Sequence, residues 1–139
     1  MKNIRAAVRA LLLADSTVNS LVGGVRIHVV RLPQGQKDPS IVFNRINETG
    51  DYHMQGDSRL AQTRIQLDAW ALRNDSACQL ADAAYEVMTG FAGNVVWGSN
   101  SPTETVTIMG TFLDQGREDF DQVAELFRMS RDYIVFYRA

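Results

Sequence analysis

Residues 59–72 read RLAQTRIQLDAWAL, and in steps of two they separate into an apolar row, Ala61, Thr63, Ile65, Leu67, Ala69 and Ala71, and a more polar row, Leu60, Gln62, Arg64, Gln66, Asp68 and Trp70. That alternation is the period of a strand with one covered face. At about 3.3 Å per residue such a strand spans roughly 40 Å. This is about twice the usual length, so at least one end is expected to project beyond a compact core. The stretch runs through Arg73, Asn74 and Asp75 straight into helical spacing. The chain is therefore organised around a strand whose apolar row needs a helix to cover it.

Before this strand, Ile4, Ala7, Val8, Leu11 and Leu12 follow helical spacing across Ile4 to Ala14, with Lys2, Arg5 and Arg9 on the other side. Ser16 or Thr17 caps a short helical turn that Gly23 and Gly24 end. Arg26 to Val30 reads as a minor strand, and Pro33, Gly35 and Pro39 break up the stretch between it and Ser40. Ser40 to Glu48 has strand character. The polar run Gly50 to Ser58 then reads as a long hairpin tip, a natural place for contacts. After the central strand, Ser76 and Gln79 look like a capping pair, and Ala77, Leu80, Ala81, Ala84, Val87, Met88 and Phe91 form an apolar helical stripe. Asn94 to Trp97 reads as a minor strand, Gly98 to Pro102 as a turn and Glu104 to Leu113 as a main strand. Asp114 to Ala124 reads as an acidic loop and Glu125 to Tyr137 as a long closing strand. The expected fold is α+β: an antiparallel or mixed sheet of about four main strands with two helices packed on one face.

The 139 residues, 45 % of them apolar, suit a single domain spanning 1–139. A net charge of −2 lacks the basic excess typical of proteins that hold nucleic acid or anionic membrane. Residues 1–70 nevertheless balance at +3 and residues 71–139 at −5. That division suits a head-to-tail contact between copies. No apolar run approaches the roughly 20 residues of a membrane span, and the single cysteine, Cys78, excludes an internal disulfide and a cysteine-based zinc site. A reducing compartment, the cytoplasm, is the simple reading.

Catalytic signatures are missing. His28 and His53 stand in different segments without a second ligand at metal spacing. Cys78 sits near a helix start, where the dipole favours thiolate, yet no histidine accompanies it, and a packed side chain is the plainer role. The run DFDQVAE opens like a calcium loop but lacks the later oxygen ligands and the glycine. Neither a phosphate-cradling glycine loop nor a nucleophile elbow occurs. No cofactor is expected. Long strands, an extended tip and exposed sheet edges point instead to association with other chains.

Seven pieces carry a resemblance when taken in order: Leu11-Leu12-Leu13-Ala14-Asp15, Leu21-Val22-Gly23, Arg26-Ile27, Leu32-Pro33-Gln34-Gly35, Pro39-Ser40-Ile41-Val42-Phe43, Arg64-Ile65-Gln66-Leu67-Asp68-Ala69-Trp70 and Arg128-Met129-Ser130-Arg131-Asp132-Tyr133. Across nearly the whole chain they resemble the tail completion, or tail terminator, proteins of long-tailed bacteriophages and prophages. The resemblance implies a non-enzymatic virion protein that forms a hexameric ring on the tail tube, stops polymerisation and offers a surface to the head connector. It implies partners limited to further copies of itself, the tube protein and the connector, with no membrane and no sequence-specific nucleic-acid contact. It places the protein at the head-proximal end of the tail after assembly in the host cytoplasm. Ala92 to Thr103 is longer here than in the family pattern.

Loop position and charge suggest the contact residues. Lys2, Arg5, Arg9 or Arg45 of one copy would face Glu118, Asp119 and Asp121 of the next, and the tip residues Asp51, Tyr52, His53 and Met54 would point along the ring axis or onto the tube. The alternatives are another head-to-tail connector or minor tail protein, or a small cytoplasmic enzyme or ligand-binding domain, which a deep polar pocket would reveal.

Overall fold

A computed structural model describes residues 4–97 and 104–138, with the side chains of Val29, Tyr52, His53, Asp57, Ser58 and Trp97 excepted. Lys2 and the expected turn at Gly98 to Pro102 fall outside the described residues. The elements run α1 (Ile4–Ala14), α2 (Ser16–Leu21), β1 (Ile27–Val29), β2 (Ser40–His53), β3 (Gly56–Ala71), α3 (Asn74–Met88), β4 (Gly93–Trp97), β5 (Glu104–Asp121) and β6 (Leu126–Arg138). The strands form one sheet in the order β1-β2-β3-β6-β5-β4. Among the described residues only the β1–β2 pair is parallel. The α+β expectation holds, with four long strands and two short ones making six, and three helices where two were expected.

The alternation in 59–72 does what its period requires. Ala61, Thr63, Ile65, Leu67, Ala69 and Ala71 are all buried. Ala61, Ile65, Leu67 and Ala69 share a core with Ile41 and Phe43 of β2, Val106 and Ile108 of β5, and Tyr133, Val135 and Tyr137 of β6. Helix α3 lies over β3 and β6, α1 reaches β2, β4 and β5, and α2 packs on α1 and α3. Their buried residues, Ile4, Val8 and Leu12 in α1 and Leu80, Ala81, Ala84 and Met88 in α3, follow helical spacing, one stripe per helix. Each large aliphatic chain covered in this way contributes about 1.5–3 kcal/mol.

Helix starts differ from the reading by composition. Asp15, not Ser16 or Thr17, caps α2 by accepting from the Val18 amide at 3.0 Å. Helix α3 begins at Asn74, with Arg73 in the cap position making no side-chain cap bond, so Ser76 lies inside the helix. Arriving from β3, the extended backbone of Arg73 sets the helix start without a capping side chain.

Two segments expected to be loops are strand. The run 50–58 continues the ladder, with Tyr52 opposite Asp57 and His53 opposite Gly56, so the chain reverses over Met54 and Gln55 alone. A positive φ of 122° at Gly56 makes that tight reversal accessible. Residues 114–121 likewise belong to β5, paired with β6 as far as Asp121 opposite Leu126. Polar composition hides both extensions, because partner strands supply ladder hydrogen bonds whatever the side chains.

Candidate assembly surfaces

Among the described residues the opposite face of the sheet carries no helix. At one end the segment 30–37 lies across it and, with Val42, Trp70, Leu126 and Arg128, lines an open hollow of about 660 Å³. Across its middle a polar network joins three strands: Arg64 donates to Asp114 at 2.5 Å and to Asp132 at 3.5 Å, and Gln115 donates to Asp132 at 3.3 Å. The bond to Asp114 raises the Arg64 pKa above its ordinary value. Asp68, 4 % exposed, accepts from Ser130 Oγ at 2.5 Å and from Gln66. These carboxylates are committed to neighbouring donors, and among the described residues no acid, histidine or cysteine grouping could hold a metal.

At the other end the uncovered face turns apolar. Leu60, Met109, Phe112 and Phe136 are exposed there, and with Thr49 and Gln62 they line an open groove of about 570 Å³. Phe112 and Phe136 meet edge to face with centroids 5.9 Å apart. Above the groove rises the β2–β3 tip, which stands beyond the start of the β3–β6 register at Leu60 and Arg138. Met54 at its end is fully exposed, and Asp51 is exposed beside it. The backbones of Tyr52 and His53 lie in the last two pairs of the ladder below this turn. At the base, Tyr137 donates its hydroxyl to Glu48, and Arg45 pairs with Glu48 at 3.5 Å.

The β5–β6 turn lies at the opposite end of the sheet. There β6 stays paired with β3 as far as the Phe127–Ala71 pair, but every residue of β5 from Phe112 to Phe120 is exposed. Its acids have local partners. Cys78 Sγ donates to Glu118 at 3.5 Å, Arg128 binds Asp119 at 2.6 Å while lying over Trp70, and Asp121 accepts from the Val123 and Ala124 amides at 2.9 Å each. Burial, then Glu118, pushes the Cys78 thiol up. This is the reverse of the dipole effect expected from its helical position, and it leaves the thiol a poor nucleophile.

The basic residues lie elsewhere. Arg9 donates to the Ile27 carbonyl at 3.3 Å, and Arg5 is half-buried on α1. Among the described residues no ion pair joins α1 or Arg45 to Glu118, Asp119 or Asp121. The sequence reading placed Leu60 on the polar row of its strand but missed Phe112, Leu113, Phe120 and Phe136 as surface residues. Strand alternation could have flagged Phe136, but bulges between Ile108 and Gly110 and between Leu113 and Gln115 break the period before Phe112, Leu113 and Phe120.

The family described as tail completion protein gp17 matches residues 6–138. No curated protein matches the chain in sequence. Among solved structures, a chain from the virion of a native gene transfer agent particle superposes with a TM-score of 0.75. The match covers 98 % of this chain and 95 % of that one at 14 % identity, a likeness of fold.

Proposed function

The chain belongs to the tail completion protein gp17 family, and from that premise we propose that it closes the tail tube as a hexameric ring, ends tail polymerisation and carries the surface on which the head connector docks. Membership makes it a structural component of a phage tail and not an enzyme. The observation that supports the finer reading is that the two hairpin turns sit at opposite ends of one sheet, the β2–β3 tip standing beyond the last β3–β6 pair at Leu60 and the β5–β6 turn lying just beyond the Ala71–Phe127 pair. A terminator has two axial neighbours, the tube below and the connector above, and such a fold offers a separate end to each.

In this reading the β2–β3 tip, with Asp51, Tyr52, His53 and Met54, meets the tube together with the apolar groove at its base. Lateral contacts between copies use the basic set Lys2, Arg5, Arg9 and Arg45 against Glu118, Asp119 and Asp121, as part of a single domain spanning residues 1–139. Among the described residues no member of the basic set pairs with a member of the acidic set within one copy, so a neighbour of the same kind can bring the two together head to tail, in exchange for local bonds such as Arg45–Glu48 and Arg128–Asp119. The test is electron microscopy of tails assembled with and without this protein. Without it, tails should be overlong or free of heads, and adding it should restore both; tails of normal length carrying heads in its absence would contradict the reading.

A further inference from the structure

The backbone at the two margins of the sheet leads further. Strand β1 pairs only with Ile41 to Phe43 of β2, and β4 only with Glu104 to Ile108 of β5. Beyond those points no described strand covers the outer edge of either. Antiparallel ladders alternate between residues that bond one neighbour and residues that bond the other. The bonds from the Ile41 amide to Arg26 and from Val30 to the Phe43 carbonyl set the phase on β2. Carried through the bulge between Arg45 and Asn47, that phase turns the amides and carbonyls of Arg45, Glu48 and Gly50 outward. The bond from the Gly90 amide to the Thr111 carbonyl sets the phase on β5. Carried through the bulge after Leu113, it turns Leu113, Gly116, Glu118 and Phe120 outward.

Among the described residues, nothing short, proline-capped or covered protects these edges. On β2 the chain is steered off the margin: Val30, at a φ of 75° unusual for a β-branched residue, sends the following segment across the sheet face and leaves the edge beyond Phe43 open.

We infer that the open edge of β2 in one copy pairs, strand to strand, with the open edge of β5 in the next, so that one continuous sheet runs round the ring. This rests on the ring reading above. Three features select a second copy as the occupant. The two edges lie on opposite margins, so every copy offers one of each and none is left over. Successive antiparallel pairings from β2 through β3 and β6 to β5 leave β2 and β5 opposed in direction, so copies standing in one orientation meet as an antiparallel pair. The charges agree, with Arg45 at the start of one edge and Glu118 and Asp119 near the end of the other. The open part of β2 lies towards the β2–β3 turn and that of β5 towards the β5–β6 turn. Full pairing therefore displaces each neighbour along the strands and tilts them against the ring axis, as closure of a barrel does.

The test places one cysteine on each edge of the full chain, drawn from Arg45, Glu48 and Gly50 on β2 and from Gly116, Glu118 and Phe120 on β5, in a Cys78→Ser background, and oxidises the assembled tails. Residues opposed in an antiparallel pair stand about 4.5–5.5 Å apart at Cα, within disulfide reach. At least one pair should give a ladder of covalent multimers of this chain ending at the closed ring, and neither cysteine alone should. Rings seen by microscopy without any such ladder, or cross-links only to the tube protein, would overturn strand pairing and leave the ring reading standing. Tails with no ring would overturn both. If the cysteine variants do not fold, a charge swap reads the same contact: Arg45→Glu should cut ring occupancy at least tenfold and Glu118→Arg in the same chain should restore most of it. Unchanged occupancy in Arg45→Glu, or no restoration in the pair, would count against the proposal.

Discussion

Strand β5 divides into two halves that share a backbone and little else. From Glu104 to Thr111 it lies within the layers: Val106, Ile108 and Thr111 are at most 2 % exposed, and β4 pairs along its outer edge as far as Ile108. From Phe112 to Phe120 it is exposed throughout, paired with β6 on one side and with no described strand on the other. A strand in the first situation stabilises the protomer. One in the second rests on β6 alone, Phe112 on Phe136 and Phe120 on Phe127, and leaves its outer edge open to another strand. On the proposed edge pairing, stability and assembly are carried by different residues of one element, so substitutions should separate them.

The largest effect on folding belongs to the covered half. Ile108→Ala should cost about 2–5 kcal/mol in urea denaturation, from lost transfer energy and the cavity left behind. A loss below about 1 kcal/mol would break the contrast. Asp132→Ala comes next, because Asp132 is 5 % exposed and collects donors from Arg64 and Gln115, which would lose their shared partner. About 1–3 kcal/mol is expected in the same denaturation assay.

A pH test probes the covered side of β6. Burial pushes the Tyr133 phenol up to about 12, against about 10 in an unfolded chain. Its raised value means that the unfolded state releases the proton first. The Tyr133 contribution to stability is therefore intact below about pH 10 and is lost as pH rises towards about 12. Denaturation midpoints across that window should fall less steeply in Tyr133→Phe than in the parent, and equal slopes would show that the phenol is not shielded. Smallest of all, Phe120→Ala, which loses a ring contact to Phe127, should cost the purified protein about 1 kcal/mol and Arg45→Ala about 0.5 kcal/mol or less, while both reduce ring formation on tails. Destabilisation comparable to that of Ile108→Ala would erase the distinction between the two halves.

The covered part of the molecule is legible from residue order alone. The six-residue row from Ala61 to Ala71 reads as the buried face and is buried at every position, and the first helix runs over Ile4–Ala14 as its spacing requires. Burial leaves a period in the sequence because each inward position must be apolar. The exposed arms leave no such mark. Asp114 to Asp121 reads as an acidic loop because no layer demands apolar residues there, and it is a strand because β6 holds it and Asp121 closes the turn. Gly50 to His53 is polar and glycine-containing for the same reason and is ordered by its pairing across the tip. The acids named from charge alone lie on the exposed half of β5, where Asp119 and Asp121 are engaged locally by Arg128 and by the turn amides. Glu118 and Arg45, whose local contacts to Cys78 and Glu48 are longer and which stand on the two outward edges, are the charged pair whose exchange is most informative.

High-resolution cryo-electron microscopy of the head-proximal tail end bears most directly on the claim that the uncovered margins exist for assembly. The expected map shows a closed ring of this chain in which Leu113 to Phe120 of each copy pairs with the outer edge of β2 in the next. A tail end lacking the chain, or a ring in which both edges face solvent, would contradict it.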